Sequence, residues 1–112
     1  MSLLDAEPAK MTDPLVERIV RRIAEAVRPD RIILFGSRCG GAARPDSDVD
    51  LVVVYSGPKS KEQLKLEIHR LFERPDFSMD LFVLTPEELE SQRRIANTLA
   101  CEVSRRGMVC YG

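Results

Sequence analysis

The chain has 112 residues, 44% of them hydrophobic and 31% charged, with a formal net charge of −1, which suits one domain with a modest core. That balance gives no electrostatic case for a membrane surface or for strong direct nucleic-acid binding, and no apolar run approaches the ~20 residues of a membrane span. Cys39, Cys101 and Cys110 lack metal-type spacing, and no secretory leader is read at the N-terminus, so reduced thiols in a cytoplasmic protein are expected.

Residues 1–11 show no periodicity and are expected to form a loose tail before a single domain over 12–112. A helix follows, with Thr12 or Asp13 as its cap and Pro14 in its first turn. Leu15, Val16, Ile19, Val20, Ile23 and Val27 fall at helical spacing, and Pro29-Asp30 is the expected stop. Arg31 to Phe35 reads as a short buried strand closed by Gly36. Gly40, Gly41 and Pro45 keep the next stretch irregular until Val49 to Tyr55, the second strand. Ser60 to Arg74 has the pattern of an amphipathic helix, with Leu64, Leu66, Ile68, Leu71 and Phe72 inward. Phe77 to Leu84 is a third strand. Thr85-Pro86-Glu87-Glu88 has the form of a capping box, opening a helix interrupted near Arg93-Arg94 and resuming through Ile95, Leu99 and Val103 to Gly107. MVCY, Met108 to Tyr111, closes the chain as a short strand. The order α-β-β-α-β-α-β predicts a mixed α/β (α+β) sandwich, a small mixed sheet of four strands flanked by helices.

The chemistry lies in three carboxylates. Alternation puts Asp48 and Asp50 on one face of the second strand and Val49, Leu51 and Val53 on the other. Asp80 interrupts FSMDLFVL, on the face shared by Ser78 and Phe82. If the second and third strands are neighbours, the three acids converge. A buried carboxylate costs several kcal/mol, roughly, unless compensated, and a hard divalent cation such as Mg²⁺ is the natural compensation.

Two familiar loops fail. Asp46-x-Asp48-x-Asp50 starts like a calcium-binding EF-hand, but Leu51 stands where that loop needs glycine and Gly57 where it needs glutamate. Gly36 to Gly41 has the glycine spacing of a P-loop, yet Ala42-Ala43 replaces its Lys-Ser/Thr pair. There remains a glycine-serine turn after one strand and an Asp-x-Asp on the next. Gly36 lets backbone approach a phosphate, Ser37 offers a hydroxyl and an amide, and Arg38 a forked cation. Two metal ions about 3.5–4 Å apart, held by the acids, would suit in-line phosphoryl or nucleotidyl displacement.

GSRCGGAARPDSDVDLVVV, together with MDLFVLT, the following PEEL and the terminal SRRGMVCYG, resembles the minimal nucleotidyltransferases, a branch of the polymerase-beta-like superfamily. The resemblance spans about Leu15 to Tyr111. It implies the nucleotidyltransferase fold, with Gly36, Ser37 and Arg38 binding the nucleotide triphosphate and Asp48, Asp50 and Asp80 as catalytic metal ligands. It also implies Mg²⁺ as cofactor, ATP as substrate and transfer of AMP to an acceptor. Such chains commonly act as antitoxins paired with an all-helical HEPN toxin, so a HEPN-type partner is expected; homo-oligomerisation stays open. The family's frequent GSRARG differs here, with Cys39 and Gly40 at the Ala-Arg positions. That difference supports an alternative in which the chain neutralises its partner by steric masking alone.

Plainer roles exist for each residue. Asp48 and Asp50 fit a solvated turn before a strand, and Asp80 the wet face of an edge strand. His69 fits a helix surface, and Arg21-Arg22, Arg93-Arg94 and Arg105-Arg106 fit solvated faces. Asp46 reads as a loop residue. Acting together, Gly36, Ser37, Asp48, Asp50 and Asp80 favour the metal site.

Overall fold

Asp13 opens the first helix, α1 (Pro14–Val27), by accepting from the Leu15 amide at 3.0 Å, with Pro14 pre-set for the first helical turn. The computed structural model describes residues 13–36, 48–72 and 78–112. The expected loose tail and Thr12 therefore lie outside the described residues. The helix ends on Arg28 rather than on the Pro29-Asp30 pair. Arg28 adopts a left-handed conformation (φ 47°, ψ 62°), and its amide donates to the Ala24 carbonyl at 3.1 Å.

Four strands form one sheet in the order β3-β2-β1-β4: β1 (Arg31–Phe35), β2 (Val49–Val54), β3 (Met79–Leu84) and β4 (Met108–Tyr111). β1 is antiparallel to both of its neighbours. β2 and β3 run parallel, which requires a crossover, and α2 (Lys61–Leu71) lies between them in the chain. The β1–β4 register shifts between Ile32 and Ile33, where Ile32 faces Tyr111 and Ile33 faces Val109. The sheet is thus mixed and four-stranded, with helices on both faces, as the sequence pattern predicts.

The alternation of side chains divides the core in two. Ile32, Leu34, Val49, Leu51, Val53, Leu81 and Val83 point to one face, where α1 and α2 cover them with Val16, Ile19, Val20, Ile23, Leu64 and Ile68. Ile33, Val52, Val54 and Leu84 point to the other, under Leu89, Ala100 and Val103 of α3 (Pro86–Gln92) and α4 (Leu99–Arg106). Each such side chain taken fully from water contributes about 1.5–3 kcal/mol. The central strands are apolar on both faces for this reason, and polar residues enter only where the helices stop.

Leu66, expected inward, and Ile95, expected within the resumed helix, are placed otherwise. Leu66 is 53% exposed, because two residues along a helix from Leu64 is about 200° around it, away from the buried Leu64 and Ile68. Ile95 is 54% exposed in the turn joining α3 and α4. The second helix starts afresh there, at Thr98, whose hydroxyl accepts from the Cys101 amide at 3.1 Å and donates toward the Gln92 and Ile95 carbonyls. The capping box at Thr85 forms in full, Thr85 Oγ1 accepting from Glu88 N at 3.1 Å and Glu88 Oε1 from Thr85 N at 2.9 Å. Among the described residues no helix is long and apolar enough to cross a membrane.

Candidate functional site

One end of the sheet carries the polar residues that the helices leave uncovered. There β1 finishes at Phe35, while β2 begins at Val49 and β3 at Met79. Phe35 pairs with Asp50 across β1 and β2, and Asp50 with Asp80 across β2 and β3, so the three residues form one row. Partners level with one another share a face, and alternation makes it the face that bears Val52, Phe82 and Leu84 farther along. The Val49 amide donates to the Ser78 carbonyl at 2.8 Å, extending the parallel pairing to the start of the site.

Asp50 and Asp80 meet. The Asp50 pKa is raised above the ordinary 3.8, by burial first, then by its side-chain hydrogen bond with Asp80, then by the negative charges of Asp80 and Asp48. Asp50 is half-buried, whereas Asp48 and Asp80 are exposed. β3 is an edge strand and Asp80 lies on its wet face, as the plainer reading of this residue has it, so the compensation that a buried carboxylate would need falls on Asp50. Asp48 acts on Asp50 through its charge. Among the described residues no lysine or arginine forms an ion pair with these acids, and no three His, Cys, Asp or Glu side chains stand close enough to hold an ion together.

Gly36 completes the described part of the site. It follows β1 with φ +79°, where an L side chain is strained, and a Cβ there would overlap Asp50 Oδ2 and lie 3.0 Å from Asp50 Cγ. The carboxylate of Asp50 therefore occupies the space that a side chain at position 36 would fill. Ser37, Arg38, Asp46 and Cys39 lie outside the described residues.

One neighbour of the acids has no direct signal in the sequence. Phe35 and Phe82 bring their rings to 5.7 Å between centroids at 56°, across the line of β2 and on the acids' face. Phe82 is 37% exposed. Its alternation with Asp80 was legible; its contact with Phe35, two strands away, required the strand order. An apolar wall beside Asp50 fits the burial that raises its pKa. His69 is exposed on α2, and Arg22 stacks over the Phe72 ring at 5.6 Å, a packing role away from the acids.

The donor set suits a hard divalent cation. Burial and the neighbouring charges of Asp80 and Asp48 disfavour the Asp50 carboxylate, and a bound cation would compensate that charge. The glycine opposite leaves the carboxylate accessible to backbone-scale approach.

The sequence model of the nucleotidyltransferase domain matches residues 16–103, which include Gly36, Asp48, Asp50 and Asp80. The chain belongs to the nucleotidyltransferase domain family. Among solved structures, this nucleotidyltransferase-family chain is similar to one described as a crystal structure of a toxin–antitoxin with AMP-PNP. The identity is 24%, the TM-score 0.59, and the match covers 86% of this chain and 73% of that one, a likeness of fold. No curated protein matches.

Proposed function

We propose that this protein is a Mg²⁺-dependent nucleotidyltransferase that moves AMP from ATP onto a HEPN-type helical toxin and so acts as its antitoxin. The observation that carries the reading is the level pairing of Asp50 with Asp80 beside Gly36, in a chain of the nucleotidyltransferase family. The choice of ATP and of a toxin partner is supported by the fold likeness to a toxin–antitoxin solved with AMP-PNP, an ATP analogue.

Asp50 and Asp80 would hold the divalent cation, with Asp48 adding negative charge at the entrance. When bound, the cation supplies charge neutralisation at the nucleotide phosphates. Gly36, with Ser37 and Arg38 after it, is assigned to the triphosphate, the glycine because nothing larger fits against Asp50. Asp80, the more exposed of the paired acids, faces the acceptor. An acceptor hydroxyl oxygen bonds to the α-phosphorus, the α–β phosphoanhydride bond breaks, and pyrophosphate leaves with its electron pair. The hydroxyl proton passes to Asp80, and AMP remains on the acceptor. Phe35 and Phe82 keep water from one side of the acids, where a lower dielectric strengthens each charge interaction.

The test is transfer of label from α-labelled ATP to the candidate toxin with Mg²⁺. Asp50→Asn and Asp80→Asn are expected to reduce labelling at least about 100-fold; equal labelling by either variant overturns the assignment. A second reading, neutralisation by steric masking, draws on the absence of a three-acid cluster among the described residues. It requires the Asp50→Asn/Asp80→Asn protein to neutralise the toxin as well as wild type does.

A further inference from the structure

The α3–α4 turn and one side of α4 flank an open cavity of about 470 Å³, lined by Arg93, Arg94, Ala96, Cys101, Ser104 and Arg105. Its lining residues include three arginines and no acidic residue. Arg93 reaches Glu90 at 3.1 Å, outside the lining. Arg94 and Arg105 are exposed, and neither forms an ion pair with a described acid. The Ser104 hydroxyl is buried and finds no hydrogen-bond partner among the described residues. A hydroxyl taken from water without a partner costs free energy, and its retention in a cationic cavity calls for an acceptor from outside.

Local helix electrostatics account for part of this. Arg105 lies in the last turn of α4, where a cation complements the helix dipole. The dipole does not require arginines from the turn after α3 and from the end of α4 to line one cavity. Nor does it use the Ser104 hydroxyl.

We propose that this cavity is an anion site that takes a phosphate group. Forked guanidinium groups match phosphate oxygens in pairs, and a tetrahedral phosphate has enough acceptor positions for several forks and the serine donor. Free phosphate and the phosphate of a small ester share this chemistry. The lining shares no residue with the acid pair, and anion binding here does not depend on nucleotidyl transfer. Anion binding here needs no divalent metal, whereas Asp48, Asp50 and Asp80 repel a bare anion.

The experiment is calorimetric titration of the full chain with inorganic phosphate and, in a second arm, AMP, both with EDTA, and with acetate as the carboxylate control. Saturable binding of phosphate or AMP is expected, and the tighter arm identifies free or esterified phosphate as the source. Arg94→Ala/Arg105→Ala should weaken binding at least about tenfold and Ser104→Ala about threefold, as expected for lost charge-assisted and neutral hydrogen bonds. Arg70→Ala, an exposed arginine on α2, should stay within about twofold of wild type. Phosphate-induced amide shifts should centre on Ala96, Cys101 and Ser104. The proposal is overturned if neither phosphate arm saturates, if acetate binds as well, or if Arg70→Ala loses as much as the double variant.

Discussion

Gly36 and Asp50 occupy one space: the Asp50 carboxylate lies where a Cβ on Gly36 would project. Positions 36 and 50 are thereby coupled although a long stretch of chain separates them. The positive φ of Gly36 and the close approach of Asp50 act together, since each alone disfavours a side chain at position 36.

Gly36→Ala is therefore expected to destabilise the protein by about 1–3 kcal/mol, from backbone strain and from displacement of the carboxylate. In an Asp50→Ala background the overlap is gone and only the strain persists. Urea unfolding of the two single variants and the double should give a clear coupling. Strictly additive losses would mean that the two residues do not share that space.

Asp50→Asn should stabilise the protein at neutral pH while removing activity. The Asp50 pKa is raised by burial and by Asp80, so the folded state holds a proton that the unfolded state releases. Its favourable contribution is complete below 3.8, the ordinary value, and disappears as pH rises through the folded pKa. At neutral pH the ionised pair opposes folding, and the amide relieves it by about 0.5–1 kcal/mol, discounted for partial exposure. Melting curves should show a higher midpoint for the variant at pH 7 and no advantage below pH 3.8. Mg²⁺ should raise the wild-type midpoint and leave that of the variant unchanged. A variant less stable than wild type at pH 7 would contradict the repulsion.

Glu88 behaves in the opposite sense. The Lys61 ammonium, 2.6 Å away, and then the Thr85 backbone amide hold its carboxyl below the ordinary 4.5. Its contribution is present above 4.5 and is lost as pH falls through the lowered folded value. Glu88→Gln retains an acceptor for Thr85 but loses the charge, so it should cost stability at pH 7 and nothing at strongly acid pH. Glu88→Ala should cost more at neutral pH, because the capping box goes as well. Equal losses for the two variants would show that Lys61 contributes little.

Much of this architecture was legible because local rules and tertiary packing agree. Pro14 after Asp13, the Thr85 capping box and the alternation in VDLVVV and MDLFVL all report positions whose neighbours in the chain decide them. Leu66 and Ile95 show where that agreement ends. The helical pattern places Leu66 inward and Ile95 within a resumed helix, but the angular position of Leu66 and the fresh start of α4 at Thr98 leave both exposed.

By itself, the sequence determined the elements, the faces of the strands and the identity of the acids, since these depend on periodicity and on residue chemistry. Tertiary structure alone decided that β3 lies parallel to β2, level at Asp50 and Asp80, so that burial and the neighbouring carboxylate together raise the Asp50 pKa. It alone brought Phe35 over to Phe82 and emptied the space at Gly36 for Asp50. Strand order and register are long-range choices, set by which apolar faces the helices can cover, and no local pattern contains them.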